Sequence, residues 1–428
     1  MKDIFKKIIT AIITWEAKRV IKKYRPHIVA VTGNVGKTST KDALYAALRR
    51  AYFVRKSEKS YNSEIGVPIA ILDVPNAWVN PIRWARNILE GLRLIFLKNH
   101  YPKWLILEVG ADRPGDIAGI SAWLRPDIVV VTKIGDVPTH VEFFPSAEAV
   151  VREKGKLVEA LAPEGLLVLD MDSPHTMSLA KKTSARIVTY GFAPEAHFIA
   201  SHPETLYDKE GVPEGISFKV NHGTRCVPVR IKGTVGQHHA YTVLAAIAVS
   251  VSEGTNLVSA AQWIEEEYVP PVGRLRILKG QNESIILDDT YNASPSAVQA
   301  ALGALESVKG KRKIVVLGDM MELGKHSVSE HEKVGETVAD IASIFFAVGP
   351  RMKAAADRAR EKGLKTVELF SDSREASGAL RAILKAGDIV LIKGSQSLRM
   401  ERVAEAVMAE PERRKELLVR QDEEWQKR

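Results

Sequence analysis

The sequence contains a single cysteine, Cys226, among 428 residues. One thiol excludes an internal disulfide framework and a cysteine-rich metal site, and it suits a reducing compartment. No apolar run approaches the roughly 20 residues that a helix needs to cross a bilayer. The basic N-terminus has neither the apolar centre nor the cleavage site of a signal peptide. We therefore expect a cytoplasmic protein.

Acidic residues are scarcer than basic ones, 52 against 61, and the net charge is +9. Such an excess of positive charge can favour binding to nucleic acid, to an anionic membrane surface or to anionic substrates. Aromatic residues do not alternate with the basic ones as they do in RNA-binding motifs, and zinc-finger spacings are missing, so we expect no nucleic-acid partner. The chain length predicts two or three domains.

Apolar strand-like runs alternate with helical patterns through most of the chain, which predicts an α/β fold with parallel sheets covered on both faces. A first series of strands includes "HIVAVTG" and "WLILEVG", and a second includes "KIVVLGDM" and "DIVLIKGS". Short alternating segments near 196–232 predict a small antiparallel appendage. We expect a central ATPase domain with a mainly parallel sheet over 27–272 and a C-terminal Rossmann-like domain over 273–428.

Two basic amphipathic segments stand apart from this alternation. Residues 1–26 are expected to form an N-terminal helix whose amphipathic part is 3–23, and 78–98 an insertion in the central domain. A basic amphipathic helix can lie in a membrane interface, or it can pack its apolar side on the protein's own core. Both interpretations stay open, and the first places the protein at the inner membrane face. The apolar stripe of 3–23 consists of Ile4, Phe5, Ile8, Ile9, Ile12, Ile13, Ala17 and Ile21.

The stretch "TGNVGKTS", Thr32 to Ser39, follows an apolar strand and precedes a helical pattern. Glycines allow backbone N–H groups to turn towards phosphates, and the positive end of the next helix adds to the attraction. Lys37 is placed to reach terminal phosphates, and the Thr38 hydroxyl to bind Mg²⁺. The first glycine of the longer loop pattern is replaced by Val31. The segment predicts a P-loop, with an ordinary glycine-containing turn as the alternative.

Several motifs occur in the same order as those of a known family. They include "TGNVGKTSTKD", "YNSEIGVPIAIL", "LILEVGADRPGDI", "LDDTYNASPSAVQAAL", "VVLGDMMELG" and "IKGSQSLRMERV". In this the chain resembles the Mur ligases, most of all the branch that adds D-alanyl-D-alanine to a UDP-linked muramoyl tripeptide. The resemblance covers roughly residues 27–410.

The resemblance implies an ATP-dependent ligase that forms an amide bond through an acyl phosphate. The implied substrates are a carboxylate-bearing cell-wall peptide and an amino acid or D-Ala-D-Ala, and the implied cofactors are ATP and Mg²⁺ at two sites. An anionic carboxylate must approach an anionic phosphate, which requires cations. We expect a monomer.

The resemblance also assigns roles to residues of this sequence. The catalytic set is Lys37, His140, Lys154 and Arg274. The nucleotide-binding set is Gly33, Asn34, Gly36, Lys37, Thr38, Ser39, His238, Asp289, Tyr291 and Asn292. The metal ligands are Thr38, Glu108, His140 and Lys154, and the substrate-binding set is Asn62, Lys393 and Ser395. Lys154 is expected to be a carbamate, because an unmodified ammonium repels Mg²⁺; Lys156 is the neighbouring alternative.

The sequence departs from the family pattern at several positions. Lys133, His239 and Thr242 stand where relatives commonly have asparagine, and Gln396 replaces an arginine that gives a bidentate charged contact. Only one helix precedes the P-loop strand, where relatives have a domain that binds UDP. We therefore expect an acceptor that is lipid-linked or carried on a surface.

Other functions remain open on the sequence. The first is a related amino-acid ligase acting on a different, non-UDP acceptor. The second is a non-catalytic nucleotide-binding scaffold of cell-wall synthesis, and the third a nucleotide-driven switch or motor. ATP turnover that requires both an acceptor carboxylate and a donor amine separates a ligase from the last two.

Overall fold

The computed structural model of the chain describes residues 2–58, 60–78 and 80–426; Met1, Lys59, Val79, Lys427 and Arg428 lie outside the described residues. The strands are β1 (His27–Thr32), β2 (Val54–Lys56), β3 (Trp104–Glu108), β4 (Ile128–Val131), β5 (Leu166–Asp170), β6 (Arg186–Gly191), β7 (Phe198–Tyr207), β8 (Pro213–His222), β9 (Arg225–Lys232), β10 (Arg276–Lys279), β11 (Ile285–Asp289), β12 (Arg312–Gly318), β13 (Ile344–Val348), β14 (Val367–Phe370) and β15 (Asp388–Lys393).

The α-helices surround these strands. They are α1 (Lys2–Tyr24), α2 (Lys37–Leu48), α3 (Gly66–Leu72), α4 (Pro81–Phe96), α5 (Asp116–Ser121), α6 (Ala147–Glu159), α7 (Pro174–Met177), α8 (His238–Ser252), α9 (Leu257–Glu267), α10 (Pro295–Ser307), α11 (Ser327–Ile341), α12 (Met352–Glu361), α13 (Ser373–Ile383), α14 (Glu401–Val407), α15 (Arg414–Leu417) and α16 (Glu423–Gln426).

The strands form two sheets, as the alternating pattern predicts. The first has the order β2-β3-β1-β4-β5-β6-β7-β8-β9, and the second β10-β11-β15-β12-β13-β14. Neighbouring strands are parallel from β2 to β7, whereas β8 and β9 continue the first sheet as an antiparallel extension. In the second sheet only β10 is antiparallel. The α/β fold class is confirmed. The domain boundary predicted at residue 272 lies in the segment between α9 and β10.

Both faces of the first sheet are covered. Along β1, Val29 and Val31 belong to the core shared with α2, α8 and α9, while Ile28 and Ala30 belong to the core shared with α1, α3 and α6. Successive side chains of a strand point to opposite faces. A strand covered on both sides is therefore apolar at every position, which explains the unbroken apolar runs in the sequence.

The apolar stripe of residues 3–23 divides between core and solvent. Ile9, Ile13 and Ala17 are buried against the sheet, whereas the Ile4 and Ile8 side chains are 65% and 53% exposed. The predicted single stripe is thus corrected: the apolar positions extend around more of α1 than the core can cover. The insertion 78–98 is helical over Pro81–Phe96. Within the described residues, no helix is long and apolar enough to cross a membrane.

The helices α1 and α4 pack closely together. A Cβ atom at Gly91 of α4 would lie 2.4 Å from the Glu16 carboxylate of α1, so only glycine permits this approach. Lys23 Nζ donates hydrogen bonds to the carbonyls of Leu94 at 2.9 Å and Ile95 at 3.0 Å. These contacts satisfy carbonyl groups that the end of a helix leaves without partners.

Glu16 is fully buried, and neither of its carboxylate oxygens has a hydrogen-bond partner among the described residues. Burial raises the pKa of Glu16 from 4.5 to about 7. The pKa of Glu16 is therefore higher in the folded state than in the unfolded state. The contribution of this group to the stability of the fold is greatest below about pH 4.5, where the carboxyl group is protonated, and it is lost as the pH rises to about 7.

We expect Glu16→Gln to raise the free energy of unfolding by about 3 kcal/mol at pH 8 and to change it little at pH 4.5. Urea unfolding of both proteins at the two pH values measures this difference. The exposed Glu164→Gln is the matched control and should show no such pH dependence. Equal effects of Glu16→Gln at both pH values would contradict the prediction.

Candidate active site

A cleft opens where the carboxyl ends of β1, β3 and β4 face the second sheet, the edge at which open α/β sheets bind ligands. Two adjoining cavities occupy it, and Arg274 lines both. The first cavity is also lined by the predicted site residues Gly33, Asn34, Lys37, Asn62, Glu108, His140, Lys154, Tyr291 and Asn292. The second is also lined by Gly36, Ser39, His238, Asp289 and Lys393.

The loop between β1 and α2 requires glycine at two positions. Gly33 has φ 135°, and a Cβ atom there would lie 2.1 Å from Thr132 Oγ1. Gly36, at the N-terminus of α2, has φ 87° in the left-handed region. Glycine adopts both conformations without steric cost. The tight turn directs the loop and the first turn of α2 towards the cleft.

Lys37 lies folded back on this loop. Its Nζ donates a hydrogen bond to the Gly33 carbonyl at 3.0 Å. The backbone N–H groups of Asn34 and Val35 donate to the Lys133 carbonyl at 2.9 and 3.2 Å. Burial lowers the pKa of Lys37, while the nearby Glu108 carboxylate opposes that shift.

Polar oxygens converge beside Lys37 at the end of β3. The Thr38 hydroxyl donates to Glu108 Oε2 at 2.9 Å and lies 2.9 Å from the Ser60 hydroxyl. Asn62 Nδ2 donates to Glu108 Oε1 at 3.2 Å. Glu108 is buried, so these two donors compensate a carboxylate removed from water.

Lys154 and Lys156 have different surroundings although both lie on α6. Lys154 is buried in the first cavity and has no ion-pair partner among the residues the structure describes. Burial and then the Lys37 ammonium lower the pKa of Lys154 to about 7. The Lys156 side chain points to solvent and forms an ion pair with Glu159 at 2.8 Å. Lys154 is therefore the lysine that faces the cleft.

His140 joins the two halves of the cleft. Its Nε2 lies 3.4 Å from Asp112 Oδ1 beside the first sheet, and its Nδ1 lies 2.5 Å from Glu322 Oε2 of the second domain. The close approach of the His140 ring lowers the pKa of the Glu322 carboxyl group. The backbone N–H of Glu142 donates to the Glu322 carbonyl at 3.3 Å, a second contact at the same point.

The second sheet contributes groups from the ends of β11 and β15. The Arg274 guanidinium lies 4.0 Å from the Tyr291 ring centroid, a cation–π contact. Lys393 Nζ donates to Asp289 Oδ2 at 2.6 Å and to the Asn292 carbonyl at 2.8 Å. The structure thus brings Lys393 next to the residues predicted to bind nucleotide.

His238 and Ser395, two further predicted residues, lie outside the first cavity. Burial lowers the pKa of His238 to about 4, so its ring is neutral at pH 7. The neighbouring His239 contacts the Thr234 hydroxyl through Nε2 at 2.7 Å. Ser395 lines neither cavity: it is buried, and its hydroxyl accepts a hydrogen bond from the Met321 N–H at 2.9 Å.

The donor set at the first cavity fits Mg²⁺. Magnesium binds through one or two carboxylate or hydroxyl oxygens and fills its remaining positions with water and substrate phosphates. Thr38 and Glu108 supply such oxygens. The described part of the chain contains no group of three or more histidine, cysteine, aspartate or glutamate side chains suited to bind a metal. Any second ion here needs a further anionic ligand.

Ser60, Asp112 and Glu322 join the site although sequence reasoning did not single them out. Asp112 and Glu322 lie inside motifs that the sequence analysis quoted, "LILEVGADRPGDI" and "VVLGDMMELG", so a signal was present. Their proximity to His140 depends on how two separate sheets face each other, and spacing along the chain does not encode that distance.

Comparison with known proteins identifies the two halves of the chain. The Mur ligase middle domain matches residues 86–250, and the Mur ligase glutamate ligase domain matches residues 273–396. Curated relatives include the UDP-N-acetylmuramoyl-tripeptide–D-alanyl-D-alanine ligase of Bacillus subtilis, 27% identical, with 92% of this chain and 79% of the relative covered. The same-named ligase of Mycobacterium tuberculosis is 29% identical, with 90% and 73% covered.

Solved structures show the same fold. MurF from Acinetobacter baumannii superposes with a TM-score of 0.76 at 24% identity, covering 92% of this chain and 79% of that one. MurF from Thermotoga maritima, solved in complex with ADP, gives 0.74 at 24% identity, with 95% and 84% covered. The resemblance in the sequence motifs is confirmed, since both domain models belong to one family and together span roughly two thirds of the residues. The chain belongs to the Mur ligase family.

Proposed function

We propose that the chain is an ATP-dependent ligase that joins the carboxylate of a cell-wall precursor peptide to the amine of D-Ala-D-Ala or an amino acid. The observation that carries the proposal is one cavity lined by Lys37, Glu108, Lys154 and Arg274, with groups from both sheets. The names of the relatives support the substrate class. A related amino-acid ligase with a different, non-UDP acceptor is the second candidate. Gln396, which replaces an arginine of the family pattern, also weakens the case for a clamp on the carboxylate of D-Ala-D-Ala.

The first proposed step transfers the γ-phosphoryl group of ATP to the acceptor carboxylate. Lys37 and the P-loop amides hold the phosphates, and Arg274 approaches the terminal phosphate from the second domain. Thr38 and Glu108 would hold Mg²⁺, which neutralises phosphate charge when it is bound. Preorganised cations in a cleft that excludes water stabilise the charge that develops during the transfer.

The second proposed step is attack of the donor amine on the acyl phosphate, which forms the amide bond and releases phosphate. Asn62, Lys393 and Ser395 are proposed to position the substrates. Lys393 does so indirectly, since its ammonium is bound to Asp289. Ser395 likewise supports the loop after β15 from a buried position.

The remaining nucleotide contacts belong to the same proposal. The ribose is assigned to Asp289, and Tyr291 and Asn292 form the wall beside it. The neutral ring of His238 lies in the same cavity as Asp289. Since both domains contribute contacts, closure of the cleft is expected to accompany nucleotide binding.

Lys154 is proposed to be a carbamate that, with His140, holds a second Mg²⁺. A neutral amine attacks CO₂, and the pKa of about 7 makes a large fraction of Lys154 neutral near pH 7. The carbamate adds the anionic ligand that the histidine and carboxylate groups do not supply. It also removes the repulsion between the Lys154 and Lys37 ammonium groups.

The charge of the chain and its exposed apolar side chains lead to proposals about its other binding partners. We propose a monomer that does not bind nucleic acid and that contacts the inner membrane face through 3–23 and 78–98. The exposed apolar side chains of both segments support that contact.

We expect Lys37→Ala to lower ATP turnover by about 10²-fold or more, since a cation that contacts the transferred phosphoryl group is lost. Release of ADP is measured with muramoyl peptides crossed with amino acids and D-dipeptides. In the wild type, turnover should require both an acceptor and an amine. Lys353→Ala, at an exposed position, is the control. Turnover without either substrate would indicate a switch or motor instead.

For Lys154 we expect activity to rise from pH 6 to pH 8 and with added bicarbonate, because only the neutral amine forms the carbamate. With ¹³C-labelled bicarbonate, NMR should show a carbamate signal that Lys154→Ala lacks and Lys156→Ala retains. Acetate should restore part of the activity of Lys154→Ala. A labelled signal that persists in Lys154→Ala refutes the assignment.

A further inference from the structure

The outer sides of α1 and α4 expose large apolar side chains. On α4, Ile82, Leu89 and Phe96 are 80%, 61% and 74% exposed. Their spacing of seven residues is close to two helical turns, so they form one line along the helix. On α1, Ile8 and Trp15 repeat this spacing and are 53% and 44% exposed. We call these five side chains the α1–α4 face.

The two lines of side chains lie on helices that are in direct contact. Glu16 meets Gly91, and further along Lys23 contacts the carbonyls of Leu94 and Ile95, so the helices advance in the same direction side by side. The inner sides of both helices pack into the same core beneath them. The outer sides of these two neighbouring helices thus expose five large apolar side chains, more than the isolated apolar residues common on soluble proteins.

Positive charge flanks this surface. Arg83 and Arg86 are exposed on α4, and neither has an acidic partner among the described residues. Both line a groove of about 610 Å³ beside the helix. The two acidic residues of the groove are already paired, Asp73 with Arg55 at 2.9 Å and Glu90 with Arg93 at 3.1 Å. Arg83 and Arg86 thus remain available to an external anion.

We infer that the α1–α4 face docks on an anionic lipid bilayer, with its apolar side chains among the acyl chains and Arg83 and Arg86 at the level of the lipid phosphates. Apolar side chains on a helix surface flanked by cations are the pattern of interfacial binding. A bilayer matches it better than a protein partner, because the flanking free charges are of one sign and need no particular spacing of anions.

This docking deepens the proposed function, on which its biological meaning rests. Lys6 of α1 forms an ion pair with Glu64 at 3.1 Å, and Glu64 lies two residues from Asn62 in the first cavity. The N-terminal part of the docked helix is thus connected directly to the segment that carries the proposed acceptor-binding asparagine. A bilayer-bound enzyme holds that end of the cleft near an acceptor carried on the membrane.

Vesicle sedimentation with the full-length protein tests the inference. At low salt the wild type should sediment with phosphatidylglycerol-containing vesicles and much less with pure phosphatidylcholine vesicles. Arg83→Gln combined with Arg86→Gln should weaken binding to anionic vesicles roughly 30-fold, from about fivefold per arginine. Arg225→Gln combined with Lys232→Gln removes the same charge from the exposed β8–β9 hairpin and should change binding little.

The apolar part is tested with Ile82→Ser, Leu89→Ser and Phe96→Ser in one variant, which should lose most vesicle binding. The control replaces three valines of similar exposure elsewhere, Val258, Val269 and Val328, by serine. ATP turnover with soluble substrates should stay unchanged in all four variants, which separates failure of docking from failure of the ligase proposal. Wild-type protein that stays in solution, or controls that lose as much binding as the test variants, would overturn the inference.

Discussion

Lys154 lies buried beside Lys37 in the cleft between the two sheets, and the two ammonium groups repel each other in a site largely withdrawn from water. Glu108 is the nearest compensating carboxylate for Lys37, and its oxygens are shared with Thr38 and Asn62. The cleft thus holds an excess of buried positive charge. Anionic substrates remove that excess, which is why a phosphate-binding loop, a carboxylate acceptor and a carbamate suit one site.

The site is divided between the two domains. His140 lies between Asp112 of the first domain and Glu322 of the second, and Arg274 stacks on Tyr291 at the junction. Residues of both domains line the same cavity. A cleft assembled in this way is suited to admit substrates while it is open and to exclude water when it is closed.

Much of this arrangement could be predicted from the sequence, because its signals are local. Apolar runs marked the parallel strands, and Gly33 and Gly36 marked the turn before α2, where each glycine satisfies a backbone requirement. The choice between Lys154 and Lys156 could not be made from spacing, since both lie on α6 and only packing buries one of them. The division of the predicted α1 stripe between core and solvent could not be read from the sequence either, because apolar residues occupy more than one side of that helix.

Several donors of the P-loop already form hydrogen bonds within the protein. The N–H groups of Asn34 and Val35 donate to the Lys133 carbonyl, and Lys37 Nζ donates to the Gly33 carbonyl. A triphosphate that binds to these two amides and to Lys37 must therefore exchange hydrogen-bond partners with the protein. Only the difference between the two sets of bonds contributes to affinity. The amides of Asn34 and Val35 are therefore satisfied without a nucleotide, and a weakly held anion such as free phosphate gains little by displacing the Lys133 carbonyl.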